Sequence, residues 1–270
     1  MNVLEYEMIE LLKKLKNEYG VFEIKAEYEN EGSRPVELMR LKDVASKADL
    51  PIILKVGGVE AVTDMYEALS LGAKGIIAPM AETAFAASKF LDAIDVFIPE
   101  DNQRDVDFAI NIETITAYHN LDAILALPKL RLLKSMTVGR VDFTASMGAD
   151  RSFANSPKML EYCTTMLQKI KASGLKTALG GAISTESEPF IKTLVAQDLL
   201  DKYETRKLVY RKTAVNNLVT GLSEGIKFEL LWLKSKRRYY HRIKIEDEKR
   251  IAMLEERVKI ADPSYTPDTI

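Results

Sequence analysis

The sequence predicts a parallel α/β fold organised around one hydrophobic core. Short apolar, β-branched runs alternate with amphipathic segments from Val21 to about Tyr210, the pattern of strands joined by helical crossovers. The 270 residues suit a single barrel-sized domain, typically about 250 residues long. One strand-like run ends on a carboxylate, Glu113, and another places a second, Asp142, just beyond its end, one βαβ unit apart. Strand ends of that kind are where an α/β fold places its chemistry.

Taken in order, Val3, Leu4, Met8, Leu11, Leu12 and Leu15 recur at helical spacing, and Gly20 closes this first helix. Residues 21–28 read as a strand with Phe22, Ile24 and Ala26 on one face and Glu23, Lys25 and Glu27 on the other. Charges facing a barrel interior are costly unless they meet partners or a substrate. The alternative is an exposed edge strand. A polar loop over 30–35 leads to a helix over 36–48, and Pro51 introduces a strand over 52–56. Gly57 and Gly58 then let the backbone turn tightly or approach a ligand. A helix over 59–71 ends at Gly72, followed by a strand over 75–79 and a helix from 82 to about 94. Residues 95–99 could extend that helix or form a short strand, and 99–102 read as a turn.

The next forty residues organise the rest. Residues 106–112 have the dense apolar character of a buried parallel strand and run into Glu113. After a Leu- and Ala-rich helix, the strand over 132–138 meets Gly139 and places Asp142 just beyond its end. Two carboxylates at neighbouring strand ends suit a hard divalent cation whose octahedron is completed by water. The alternative is that Glu113 caps the following helix and Asp142 starts a turn. A polar loop over 149–156, a helix over 159–172 with Pro157 at its first turn, a strand over 176–183, a helix over 186–194 and a last strand over 208–210 complete the series. This gives seven clear strands and one doubtful one.

Asn111-Ile112-Glu113-Thr114, Leu121 to Leu125, Val138 to Phe143 and Ser146-Met147-Gly148 together resemble the HpcH/HpaI aldolase and citrate lyase β-subunit family. The resemblance extends upstream through Lys55 to Gly58 and Gly72 to Thr83, and downstream to Gly180 to Ile183, covering roughly residues 20 to 185. It implies a (β/α)8 TIM barrel. Family barrels begin with a strand whereas this chain begins with a helix, so modification is expected at the first strand. The resemblance also implies that Glu113 and Asp142 hold Mg2+ or Mn2+, which would chelate a keto acid and stabilise an enolate formed by C–C cleavage. Lys55 stands where the family carries an arginine that polarises the keto oxygen, and lysine keeps that charge without the planar fork. Glu27 matches an acidic residue near the metal. Tyr28 falls where family aldolases have a catalytic histidine, so Tyr28, Lys25 or a metal-bound water would have to take over the proton transfer. Lys25 could instead pair structurally with Glu27 or Glu113. Arg140 could replace an anion-binding arginine of a loop that this chain lacks, or serve as a turn arginine in a surface salt bridge.

Composition narrows the partners. A net charge of −2 argues against nucleic acid, and no apolar run reaches the roughly 18 residues of a membrane span. The N-terminal segment is amphipathic and lacks the apolar core of a signal peptide. Cys163 is the sole cysteine, which excludes an intrachain disulfide and makes a reducing cytoplasm the expected location. Beyond a barrel over 1–212, an extension over 213–260 reads as two amphipathic helices separated by a basic run, 234–244, and an acidic one, 246–248. Its apolar stripe should pack on the barrel or on a second subunit, giving a homo-oligomer. A disordered tail is expected over 261–270. Two functions remain open from sequence. One is a metal-dependent lyase or aldolase acting on a keto acid, a phosphoenolpyruvate-like molecule or an acyl-CoA. The other is a barrel that has lost turnover and serves binding or assembly.

Overall fold

The computed structural model describes residues 1–262, 264 and 266; most of the expected disordered tail lies outside them. Eight strands close into a barrel in sequence order. They are β1 (Val21–Glu27), β2 (Ile52–Lys55), β3 (Gly75–Ala78), β4 (Asp107–Ile112), β5 (Leu133–Gly139), β6 (Lys176–Gly180), β7 (Lys202–Glu204) and β8 (Leu208–Arg211). The crossovers are α2 (Pro35–Lys47), α3 (Val62–Leu71), α4 (Ala84–Phe97) with the short α5 (Glu100–Asp105), α6 (Ile115–Leu125), α7 (Arg140–Ser146) with α8 (Pro157–Ala172), and α9 (Glu188–Ala196). As expected, a helix, α1 (Val3–Tyr19), precedes β1. Asn2 and Glu5 exchange side-chain and backbone hydrogen bonds in a capping box at its start, and Gly20, at φ 67°, ends it in the left-handed conformation.

The departure from a regular barrel comes at the last strand rather than the first. β1 to β7 run parallel, whereas β8 pairs antiparallel with both β7 and β1. A parallel return needs a crossover of about a dozen residues, and only Thr205, Arg206 and Lys207 separate β7 from β8. The chain must therefore turn straight back. Thr205 ties the turn, donating its backbone N–H to the Leu208 carbonyl at 2.9 Å. Tyr203 and Tyr210, directly opposite one another, stack with ring centroids 5.2 Å apart.

Three sequence-based assignments change. The doubtful strand over 95–99 is not one, since Asp95–Phe97 belong to α4; the eighth strand is β7, whose three residues are too few to show a period. Residues 100–105 form α5 instead of continuing a turn. The two expected C-terminal helices are one, α10 (Leu218–Ala261), because the basic-to-acidic change contains no helix breaker and Lys244 pairs with Glu248 one turn on at 3.6 Å.

The first half of α10 completes the outer layer beside α1. Leu218, Leu222, Phe228 and Trp232 are buried, and Gly221 lets the helix approach Tyr19. Polar ties fix the direction of its exit. Asn2 Nδ2 donates to Ser235 Oγ at 3.1 Å, Lys236 pairs with Glu37 at 2.9 Å, and Tyr240 Oη donates to the same carboxylate at 2.5 Å. From His241 to Ala261 nearly every side chain is exposed. At 1.5 Å per residue this segment is roughly 30 Å long.

Gly225 is where α10 meets the antiparallel strand. A Cβ there would lie 2.2 Å from Tyr210 Oη and 3.0 Å from Leu208 Cδ1. Gly225→Ala should therefore destabilise the protein by about 1–3 kcal/mol through overpacking, although alanine is the better helix former. Urea denaturation measures the difference, and an unchanged or raised midpoint would remove this contact from the account.

Candidate active site

At the C-terminal ends of the parallel strands lies a cavity of about 360 Å³, of the size that takes a small organic molecule. Its floor holds side chains whose burial the fold must compensate. Lys25, on β1, places Nζ 2.6 Å from Glu204 Oε1 and 3.5 Å from Glu27 Oε1. Burial disfavours its charge, but Glu204 and Glu27 outweigh burial and hold the ammonium above its ordinary range. Lys55, on β2, lies 2.6 Å from Glu29 Oε2. Here too burial opposes the charge, and Glu113 together with Glu29 prevails, so its pKa is raised.

Glu113 follows β4 directly and is 2 % exposed. The Met80 backbone N–H donates to its Oε1 at 3.0 Å and Asn111 Nδ2 to its Oε2 at 3.1 Å. Met80 reaches that position with φ 53°, a strained backbone that a functional site can justify. Across the strand boundary, a Cβ on Gly139 would come within 2.6 Å of Glu113 Oε2, so glycine is needed for the carboxylate to sit there. Burial pushes the Glu113 carboxyl above its ordinary range, against the pull of the Lys55 cation and these hydrogen bonds. Asp142, in the first turn of α7, lines the same cavity and adds to that upward push.

The structure thus gathers five of the sequence-predicted residues, Lys25, Glu27, Lys55, Glu113 and Asp142, around one cavity. The other two lie elsewhere. Tyr28 does not line it; its phenol lies beside Glu67 of α3, and burial with that carboxylate raises its pKa. Arg140 is fully buried outside the cavity, neither a surface salt bridge nor a free anion binder. Its guanidinium donates to the Ala154 carbonyl at 2.9 Å, Asn155 Oδ1 at 2.8 Å and the Gly181 carbonyl at 2.8 Å, and lies 4.6 Å from the Phe190 ring centroid. Burial lowers its pKa to about 10, so it stays charged at neutral pH. It clasps the turn Arg151–Asn155 to the loop after β6.

Four charged lining residues went unnoticed in the sequence: Glu204, Glu229, Arg151 and Arg206. Glu204 belongs to the short β7, and nothing in the local pattern marks the arginines. Among the described residues, Glu204 Oε2 and Asn111 Oδ1 are buried acceptors with no donor. No group of three or more His, Cys, Asp or Glu forms a ready-made metal site among them. Two carboxylates with an amide acceptor beside them nonetheless fit a cation that keeps several of its waters, as Mg2+ does. Lys25 and Lys55 supply further positive potential where negative charge would develop.

A family model described as HpcH/HpaI aldolase/citrate lyase matches residues 38–187. The fold is similar to that of an HpcH/HpaI aldolase from Desulfitobacterium hafniense DCB-2, at TM-score 0.57 and 14% identity over 74% of this chain and 82% of that one. An HpcH/HpaI aldolase/citrate lyase family protein from Burkholderia cenocepacia J2315 gives 0.57 at 15% identity over 89% and 90%. Macrophomate synthase gives 0.57 at 19% identity over 87% and 82%. No curated protein matches the sequence.

The Arg140 clasp predicts a stability effect. Arg140→Ala would leave the Ala154 and Gly181 carbonyls and Asn155 without their donor in a dry interior, at a cost of about 3 kcal/mol. Chemical denaturation tests this; a change below about 1 kcal/mol would mean that water replaces the guanidinium.

Proposed function

The chain belongs to the HpcH/HpaI aldolase/citrate lyase family, and we propose that it is a divalent-metal-dependent C–C lyase acting on a small keto acid through an enolate. One observation carries the reading. Glu113 and Asp142 converge on a single cavity, and neither has a basic side chain within ion-pair distance among the described residues. Carboxylates left unneutralised at a barrel mouth call for a cation. Mg2+ or Mn2+ there would supply Lewis-acid stabilisation of charge developing on oxygen. The chain's own residues do the rest. Lys55 and Lys25 lend positive potential to the keto oxygen. The cavity suits keto acids or phosphoenolpyruvate-like molecules, and an acyl-CoA would have to extend beyond its mouth. The single cysteine, buried with its thiol pushed up to about 12, accords with a cytoplasmic protein.

The second reading, a barrel that binds without turnover, draws on Tyr28, which occupies the position of the family's catalytic histidine and lies off the cavity. One experiment separates the two. Pyruvate release or consumption, measured with Mg2+ or Mn2+ across aldehyde and CoA-ester panels, is expected to depend on the metal. Metal and keto acid binding without turnover in any combination would favour the binding module. In calorimetry, Glu113→Gln and Asp142→Asn should each weaken Mg2+ or Mn2+ by more than about tenfold, roughly 1.4 kcal/mol. Wild-type affinity in both variants would end the assignment.

In this proposal residues 1–212 are the catalytic barrel and the far half of the 213–260 extension serves assembly. Ile243, Ile251, Leu254 and Val258 are between 40 and 48 % exposed on α10. Burying them against a second copy would recover several kcal/mol at about 25 cal/mol per Å². Truncation after Tyr240 keeps the half that packs on α1, so it should yield a folded monomer from an oligomeric parent. Light scattering decides, and a monomeric full-length chain would rule out the assembly role.

A further inference from the structure

A second cavity, of about 320 Å³, lies at the other end of the barrel, among the N-terminal ends of the parallel strands. Ile53 and Ala109 line it two residues below Lys55 and Asn111 on the same strands, so an apolar layer separates the two cavities. None of its lining residues takes part in the chemistry proposed above. We propose that this lower cavity binds a small amphipathic acid, a monocarboxylate carried on a short aromatic or branched apolar body.

Its charges leave a surplus of cations. Three carboxylates, Glu23, Asp107 and Asp201, and five cations, Lys134, Lys176, Lys202, Arg211 and Lys212, line it. Lys202 pairs with Glu23 at 3.4 Å. Lys212, together with Lys171 outside the cavity, balances Asp198 and Asp201. Asp107, Lys134, Lys176 and Arg211 make no ion pair among the described residues, so one carboxylate is left beside three cations, a field that favours an anion.

The remaining surface is apolar, with one polar group unused. Phe22, Ile53, Ile77 and Ala109 form a wall, and the Arg211 guanidinium lies over the Phe22 ring, 4.3 Å from its centroid. Ser135 is 6 % exposed, lines the cavity and makes no side-chain hydrogen bond among the described residues, which leaves a hydroxyl for a ligand oxygen. The sheet is also adapted here. Its ladders shift register between Val21 and Glu23 and between Phe108 and Ala109, and each shift sets an extra residue, Phe22 or Lys134, at the cavity. Bulges of this kind re-aim side chains and are enriched beside functional sites. Cations above an apolar wall suit a ligand that is charged at one end only, and the volume is that of a small-molecule site.

Calorimetry on the full chain tests this with phenylacetate, its uncharged counterpart phenylethanol, and inorganic phosphate. Phenylacetate should bind at least about tenfold more tightly than either, since it alone uses both the cations and the wall. Arg211→Ala and Lys176→Ala, both at exposed positions, should each weaken phenylacetate several-fold and leave phenylethanol unchanged. Ala109→Phe fills the cavity and should abolish binding, with circular dichroism reporting whether the barrel is intact. If that variant fails to fold, the two charge variants decide alone. Wild-type affinity in both of them, phenylacetate no tighter than phenylethanol or phosphate, or no binding of phenylacetate overturns the inference.

Discussion

A three-residue connection governs much of this molecule. Because Thr205, Arg206 and Lys207 are too few to carry the chain back to the bottom of the barrel, β8 closes the sheet in the reverse direction. Its C-terminal end therefore lies at the bottom, and α10 must begin there and run along α1 towards the mouth. Without that reversal, Tyr203 would not face Tyr210, Lys207 would not reach Glu31, and Gly225 to Glu229 would not border the cavity.

The hairpin also brings Glu204 beside Lys25, and the energetics of that pair bear on function. Removing an ammonium and two carboxylates from water costs several kcal/mol per ion, and their attraction seldom recovers more than that. A barrel selected for stability alone would fill these inward positions with apolar side chains, as the layer beneath does with Ile53, Ile77, Ala109 and Val209. The upper layer carries Lys25, Glu27, Lys55, Glu113 and Glu204 instead, all buried. Charge retained at that cost, gathered this densely beside a cavity, is the physical mark of a binding or catalytic centre.

What could be read from the sequence follows from the range of the forces involved. Alternation along β1 correctly set Lys25 and Glu27 against Ile24 and Ala26, since a two-residue period is a local property. Glu113 and Asp142 were legible because each lies within three residues of the end of a strand long enough to recognise. β7 was not, as three residues define no period, and Glu204 was lost with it. Arg140 was misjudged for a different reason. Its partners, Ala154, Asn155 and Gly181, are backbone and amide groups of loops 14 to 41 residues away, and no local pattern announces a carbonyl that needs a donor. Arg151 and Arg206 depend on loop geometry in the same way. The single α10 was misread as two helices because charge reversal was taken for a boundary, which a helix does not require.

The cavity walls differ in where along the chain they originate. Residues 38–187, the part that matches the family, contain Lys55, Glu113, Gly139 and Asp142, the side of the cavity with unneutralised carboxylates. Lys25, Glu27, Glu204, Arg206 and the bordering turn of α10 all lie outside that segment. Chemistry at the carboxylate wall requires a fixed geometry, in which even a methyl group on Gly139 would displace Glu113. Recognition at the hairpin wall requires only that a turn present a suitable side chain over the mouth. The two walls are joined through the β1–β2 ladder, in which Glu27 is opposite Lys55 and the Tyr28 N–H donates to the Lys55 carbonyl at 2.9 Å. Loops can vary above such a scaffold while the geometry at its strand ends is kept, which is how one fold comes to host many functions.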